Sequence, residues 1–431
     1  MEQKRLNYLL AHFYSVYDVP ENMRKDLESG KALVTWPEVA GDYFEGKANN
    51  PPTFTHKFLG KNIPVLFPNG EELMVKNGKE IQLGFDWAAA CFFFLSGFQD
   101  WVILRKASRF RSRDALQYRM QAHRLPLVNY YFEVLREALS EAYKTEIKFR
   151  GQNPLLFISH DVDTLNRGWL EGGWAEFKAF RWQNTLALIV KRLIGRDDWY
   201  NLNRIMDMEE GMGVHSTFFL LSRKGKGNAD YDITKPKYQK WIQTLQGRSF
   251  EVGIQGSKGT HGSASHLGAD LKRMKYRMFG NRFHYLYFRP HSSYRALEKN
   301  KLKYDSSLGF FDEVGFRHAY CFPFRLWHFE EDRPVEFLEL PLVVMDTTLA
   351  KQKYLYTRRE DAIVIIYDFL KEVKQFNGMM SLLWHNNYFS DYKYNGWRNV
   401  LAQSIKNAQE MDFKSKTGYL IWEEFTKNRD L

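Results

Sequence analysis

The segment Leu155-Leu156-Phe157-Ile158-Ser159-His160-Asp161-Val162-Asp163 carries the clearest signal of the fold. An almost wholly apolar run leads straight into His160, Asp161 and Asp163. Continuous rather than alternating apolar character suits a strand whose sheet is covered on both faces, as in parallel sheets flanked by helices. Working outward, the same kind of run recurs at Ser216–Leu221 and Glu251–Gln255, then at Tyr285–Arg289, Phe337–Pro341 and Ser381–Trp384. Helical periodicity separates these runs. Ser263 to Phe279 opens on good cap residues, Glu360 to Phe376 stops at Asn377-Gly378, and Trp397 to Met411 is a third helix. Strands separated by helices at this spacing predict an α/β fold with a parallel sheet, most simply a (β/α) barrel.

The rhythm is different before Gly151-Gln152-Asn153-Pro154. Residues 1–150 hold turn-rich stretches at Asn49–Pro52 and Pro68-Asn69-Gly70, the apolar run Phe85–Phe98, and a helical pattern from Leu127 to Tyr143. This predicts a smaller α+β N-terminal domain over 1–150 and a barrel domain over 151–431. No chemistry can be named for the N-terminal domain. The run Phe85–Phe98 contains Asp86 and is too short to span a bilayer, so it reads as a buried helix. The start of the chain is charged, without the apolar core of a signal peptide, and a cytoplasmic location is the expectation.

Composition narrows the chemistry. The 431 residues carry 62 Lys+Arg against 51 Asp+Glu, a net +11, and the two cysteines, Cys91 and Cys321, exclude a disulfide framework or a thiolate metal cluster. Arg105, Lys106, Arg109, Arg111 and Arg113 form the tightest basic cluster. A solvated face explains such a run; an anionic glycan, a phosphate or a membrane surface would also suit it. No nucleic-acid-binding motif accompanies the charge. Aromatic residues make up 16% of the chain. Most belong in a core, while some, among them Trp169, Trp174, Tyr294, Trp327 and Tyr388, lie near strand ends where flat rings could carry sugars.

In a barrel of this type the chemistry lies at the C-terminal ends of the strands. There the sequence puts Asp161 and Asp163, a pair suited to a base and a metal ligand, or equally to a turn or helix cap. The third strand runs into Gln255-Gly256-Ser257-Lys258-Gly259-Thr260-His261, with His266 beyond. Arg289-Pro290-His291 ends the next, and Trp384-His385-Asn386-Asn387 the last. A histidine directly after an apolar strand is placed for acid–base work, or for an oriented structural hydrogen bond.

Taken in order, Asp-Val-Asp, Ser-Thr-Phe-Phe, Glu-Val-Gly-Ile-Gln-Gly-Ser, Arg-Pro-His and Leu-Trp-His resemble the motifs of the polysaccharide deacetylases, the NodB-type domains of carbohydrate esterase family 4. Tyr304–Phe310, Gly315-Phe316-Arg317, Leu340–Thr348 and Trp384–Asn387 resemble a bacterial subgroup with an extra N-terminal domain. The resemblance implies a distorted (β/α) barrel that removes an acetyl group from an amino sugar or polysaccharide with the help of a divalent metal, often zinc. By motif, it implies Asp161 as base, Asp163 as metal ligand, Arg289 as the partner of Asp161, and His385 as the acid that protonates the leaving nitrogen. Asp346 would position His385, and His291, Trp384 and Asn386 would shape the site. The chain departs from the family at the third strand, where two histidines four apart are expected and Gln255 and Gly259 stand instead. His261 is the substitute ligand in this reading, with His266 or His160 completing the set. A saccharide partner, anionic if the charge is used, follows from the resemblance. A catalytically degenerate saccharide-binding protein is the alternative.

Overall fold

β1 (Leu155–Val162) is buried along its whole length, as its apolar run requires. In the computed structural model, which describes residues 2–44, 51–151, 153–428 and 431, this strand lies inside a curled parallel sheet, between two parallel neighbours. Asn49, Asn50 and Gln152, which belong to the turn and boundary expected from sequence, lie outside the described residues.

The remaining strands are β2 (Thr217–Leu221), β3 (Glu251–Gly256), β4 (Gly280–Phe283), β5 (Tyr304–Asp305), β6 (Leu338–Glu339), β7 (Val344–Met345), β8 (Met379–Leu383) and β9 (Lys414–Ser415). They are ordered β6-β5-β4-β3-β2-β1-β8-β7, with β9 paired to the start of β1, and every pairing is parallel. The two outermost strands, β6 and β7, are joined by only Leu340–Val343. So short a link cannot bridge more than about 17 Å, so the sheet has to curl until its edges approach. That is an α/β fold with a distorted barrel. The connector is tied to the strands beside it: the Leu340 N–H donates to the Asp305 carbonyl, and the Val343 N–H to the Ser381 hydroxyl.

Helices follow the strands. After β1 come α1 (Gly168–Lys178), α2 (Trp182–Leu193) and α3 (Leu202–Gly211). Then come α4 (Pro236–Gly247), α5 (Ala264–Met274), α6 (Pro290–Lys299), α7 (Asp346–Ala350), α8 (Arg359–Gln375) and α9 (Trp397–Glu410). The helix expected over Ser263–Phe279 stops at Met274, where Lys275 takes a left-handed conformation. The fourth strand is also displaced from its sequence reading. It is Gly280–Phe283, not Tyr285–Arg289, because Tyr285 and Leu286 both have positive φ (61° and 55°) and turn the chain out of the sheet. Gly280 is required here, since a Cβ would stand 2.0 Å from the Tyr304 ring.

By contacts the chain divides into two compact units. The barrel occupies Asn153–Gly315 and Glu336–Trp422. The other unit comprises Met1–Gln152 together with Phe316–Val335 and Glu423–Leu431. Within that unit the apolar run of 85–98 is a wholly buried helix, Trp87–Leu95. Asp86 is its N-cap, accepting from the N–H of Ala89 at 3.0 Å and from those of Val39 and Ala40. The Phe316–Val335 segment is held by buried polar contacts. Asp100 pairs with Arg317 at 2.9 Å and His318 at 2.8 Å, and Gln117 donates to the Arg317 carbonyl at 2.6 Å. Arg105, Lys106, Arg111 and Arg113 are exposed.

His12 in this unit gives a pH prediction. Its Nδ1–H donates to the Tyr8 carbonyl and its Nε2 accepts from the Arg325 N–H, so the ring is neutral and wholly buried. Burial, with a smaller contribution from Arg325, lowers its pKa to about 3 against a backbone bond that raises it. The unfolded chain therefore binds a proton that the folded one refuses between about pH 6.5 and pH 3. Stability is full above that window and falls through it, by roughly 4 kcal/mol for this group. Thermal melts from pH 7.5 to 4 should show the loss, and His12→Gln, which keeps a donor and an acceptor without a titratable ring, should flatten it.

Candidate active site

β1 carries Asp161 at its end and Asp163 just beyond, and the barrel brings four other strand ends to them. Asp161 is nearly inaccessible. Its Oδ1 accepts from Arg282 Nη1 at 3.0 Å and its Oδ2 from Gln255 Nε2 at 3.1 Å. Arg282 lies on β4, in register with Gln255 on β3. Its guanidinium has no solvent exposure, and its other donors go to the Ser159 hydroxyl, the Ser306 carbonyl and the Ser306 hydroxyl at 2.7–2.8 Å. It also lies 4.5 Å above the Phe219 ring. Burial raises the pKa of Asp161, opposed by Arg282 and then by His385. A carboxylate so placed is a hydrogen-bonded base with few competing waters.

His385 follows β8 on the other side of β1. Its Nδ1 is 2.8 Å from Asp346 Oδ1, its backbone N–H donates to Asp346 Oδ2 at 2.5 Å, and its Nε2 is 3.8 Å from Asp163 Oδ2. Asp346 opens α7 and is wholly buried. Burial of His385 opposes the charged ring, but Asp346, Asp163 and Asp161 outweigh it and raise the pKa to about 9. The ring therefore holds a proton at neutral pH, with Nε2 directed to the carboxylates and Nδ1 fixed by Asp346.

The third corner was not read from sequence. His284, immediately after β4, puts Nδ1 3.4 Å from Asp163 Oδ1 and 3.1 Å from Gln255 Nε2. Gln255 Nε2 is itself 3.0 Å from Asp163 Oδ1. Three terminal atoms at 3.0–3.4 Å from one another match the spacing of donors held about 2.1 Å from one small cation. Gln255 Oε1 is buried with no protein partner. Which amide atom faces the carboxylates is set by hydrogen bonding rather than shape, and a cation there would call for the oxygen. On donor chemistry, Asp163, His284 and the Gln255 carbonyl fit a divalent cation.

Arg289 does not stand beside Asp161. It is exposed, directly before α6, because the strand ended six residues earlier; Arg282 makes the contact. His261 sits on a short turn after β3, its ring stacked 5.4 Å from Tyr287 and its carbonyl accepting from Ser292 and Ser293. No contact joins it to Asp163; burial and the nearby Arg289 lower its pKa. His160 is buried between the Trp384 carbonyl and Glu209, both at 2.7 Å, and His266 is exposed on α5, so neither joins the group. His291 lies in the first turn of α6. Trp384 is buried. Asn386 braces the site by donating to the carbonyls of Thr164 and Trp199. Tyr294, Trp327 and Tyr388 are core residues at 1% exposure, which removes them as sugar platforms. Tyr285, 47% exposed with its ring 3.8 Å from that of His284, is a flat face beside the site that the sequence reading did not single out.

The signal for Arg282 and His284 was present as Gly280-Asn281-Arg282-Phe283-His284, in which every second residue faces the same way. Its polarity hid it as a strand.

Residues 34–144 match a family model described as a family of unknown function, DUF7033. Among curated proteins, none matches the chain. Among solved structures, the chain is similar to a protein from Mycobacterium smegmatis assigned as a polysaccharide deacetylase, at 15% identity and a TM-score of 0.43, over 65% of this chain and 93% of that one. It is similar to PuuE allantoinase at 10% identity and 0.44, over 65% and 93%. A third is a pseudoenzyme of carbohydrate esterase family 4 from Bacillus anthracis, at 10% identity and 0.34, over 63% and 66%.

Proposed function

We propose that the barrel hydrolyses an acetyl group from an amino sugar or polysaccharide, cleaving a C–N bond. The observation that carries this reading is the convergence at the strand ends of a buried, arginine-held carboxylate, Asp161, and a carboxylate-held imidazole, His385, whose Nε2 lies 3.8 Å from Asp163. The motif resemblance supports the substrate class.

In this reading Asp161 takes the proton of the attacking water, and Arg282 keeps its carboxylate ionised and fixed. His385 Nε2–H protonates the nitrogen that leaves, a step an amide needs because an amide anion departs badly. Asp346 holds the ring in the orientation and charge that step demands. A divalent cation, zinc by the family's habit, would be held by Asp163, His284 and Gln255, and when bound would polarise the acetyl carbonyl and acidify water. Tyr285 offers the sugar a flat ring.

Acetate release from N-acetylated glucosamine oligomers after zinc loading tests the reading; no turnover with any divalent metal overturns it. A second reading, saccharide binding without hydrolysis, is favoured by one feature. The Gln255 amide already bridges both carboxylates, which leaves them satisfied without a cation. Binding that ignores chelators, with no turnover, would select it. Gln255→His separates the two further, because imidazole is the better zinc donor. A gain of at least tenfold in zinc affinity by calorimetry is expected if Asp163 and His284 form the rest of a site.

A further inference from the structure

The chain leaving Asp163 grows into the hairpin of α1 and α2, which contributes no side chain to the site above. Its outer surface is apolar to an unusual degree. Phe180 and Leu193 are 78% and 80% exposed, and Trp174, Trp182, Leu186 and Ile194 are each more than half exposed. Among the residues of α2 only Leu188 is buried. Single exposed apolar residues are ordinary, but a contiguous group of this size marks a contact surface. The aromatic part is prearranged: Trp174 stacks on Phe177 at 5.6 Å and 7°, and Phe177 meets Trp182 edge-on at 4.7 Å.

The charge of the same segment is one-sided. From Phe177 to Arg196 there are five basic residues, Lys178, Arg181, Lys191, Arg192 and Arg196, and no acid; Asp197 and Asp198 follow directly, and Asp198 lies 3.9 Å from Lys191. Glu176, just before, is buried and already engaged by Arg181 and Asn184. Lys178 reaches over the Trp174 ring at 5.1 Å and Arg192 over that of Trp169 at 5.9 Å, so cations lie alongside the apolar face. The base of the hairpin is closed by Asp197, which accepts from the N–H groups of Gly168 and Trp169, and Lys393 ties α1 to the segment after β8 by pairing with Glu171 at 2.7 Å.

We propose that this hairpin is a membrane-surface anchor, with α2 lying in the plane of an anionic phospholipid interface and its Trp, Phe and Leu side chains at the headgroup–acyl boundary. Helices of 11 and 12 residues are too short to cross a bilayer of about 20 residues' span, so the contact is in-plane. Charge selects the occupant. A second copy seated about a two-fold axis would set the cations of Lys178, Arg192 and Arg196, for which the described residues provide no ion-pair partner, against their own copies, whereas acidic headgroups complement them.

The test is co-sedimentation of the full chain with vesicles of phosphatidylcholine alone and of phosphatidylcholine with phosphatidylglycerol. Binding to the anionic vesicles only, weakening as salt rises, is expected. K191E/R192E should weaken it by at least about tenfold. L186S/L193S should do likewise while leaving the circular dichroism and melting temperature unchanged, since both side chains are in solvent. Failure of the wild-type chain to bind anionic vesicles at low salt overturns the proposal, as does binding that neither variant alters. A wild-type dimer in sedimentation that L186S/L193S splits, without vesicle binding, also overturns it and gives the face to a second copy.

Discussion

Asp161→Asn is expected to lower acetate release by about 10³-fold, with saccharide binding retained. The argument runs through the proton. Asparagine has nearly the same shape and still offers an oxygen to Arg282, but its amide cannot accept the proton that the attacking water must lose. His385→Gln removes the other half of the transfer and should cost a comparable factor on an amide. It should cost much less on an activated ester, whose leaving group departs without protonation. That contrast separates an acid from a residue that merely shapes the pocket. Steady-state assays on an N-acetyl sugar and on an aryl acetate provide both numbers. Equal losses on the two substrates would remove His385 from the role of acid, and near-normal turnover by Asp161→Asn would remove the proposed base.

Arg282→Met is expected to destabilise the barrel by about 3–5 kcal/mol, the cost of leaving a buried carboxylate unpaired. The guanidinium is fully enclosed, and Asp161, Ser159 and Ser306 all depend on its donors. Arg289→Met should change stability by no more than about 0.5 kcal/mol, because that side chain is exposed. Adding Asp161→Leu to Arg282→Met should restore a large part of the loss, since it removes the stranded charge. Removing both members of a buried pair is cheaper than removing one. Urea denaturation of the wild type, Arg282→Met, Asp161→Leu and the double variant closes the double-mutant cycle, with Arg289→Met as the control. Equal effects of the two arginines would mean that the Asp161–Arg282 contact contributes nothing to the fold.

The contrast between Arg282 and Arg289 also shows how far local sequence reaches. β1, β2 and β8 were legible because each is a largely apolar run, and burial on both faces demands that composition. Asp161, Asp163 and His385 followed from them, as residues at the ends of readable strands. β4 was not legible, because it is buried on both faces and carries Asn281 on one and Arg282 on the other, which are stable there by virtue of partners far away in sequence. Asn281 donates to Asp305 at 2.5 Å, and Arg282 reaches back to Ser159 and Asp161. A strand that buries polar groups against other polar groups has no hydrophobic signature to read. β6 lies inside the run read at Phe337–Pro341, whereas β5 and β7 are two residues each, too short for any period to register.

The α/β alternation, the strand-end carboxylates and the histidine after β8 could all be read from the order of residues. Each depends on residue type and near spacing alone. Only the tertiary structure decided which arginine holds Asp161, that His284 rather than His261 stands beside Asp163 and Gln255, and that Phe316–Val335 packs with the first 152 residues. It also decided which aromatics are core and which, on the α1–α2 hairpin, are left in solvent. These depend on what curling the sheet brings together from strands more than a hundred residues apart. Such pairings are favourable because a buried charge needs its partner, wherever in the chain that partner lies.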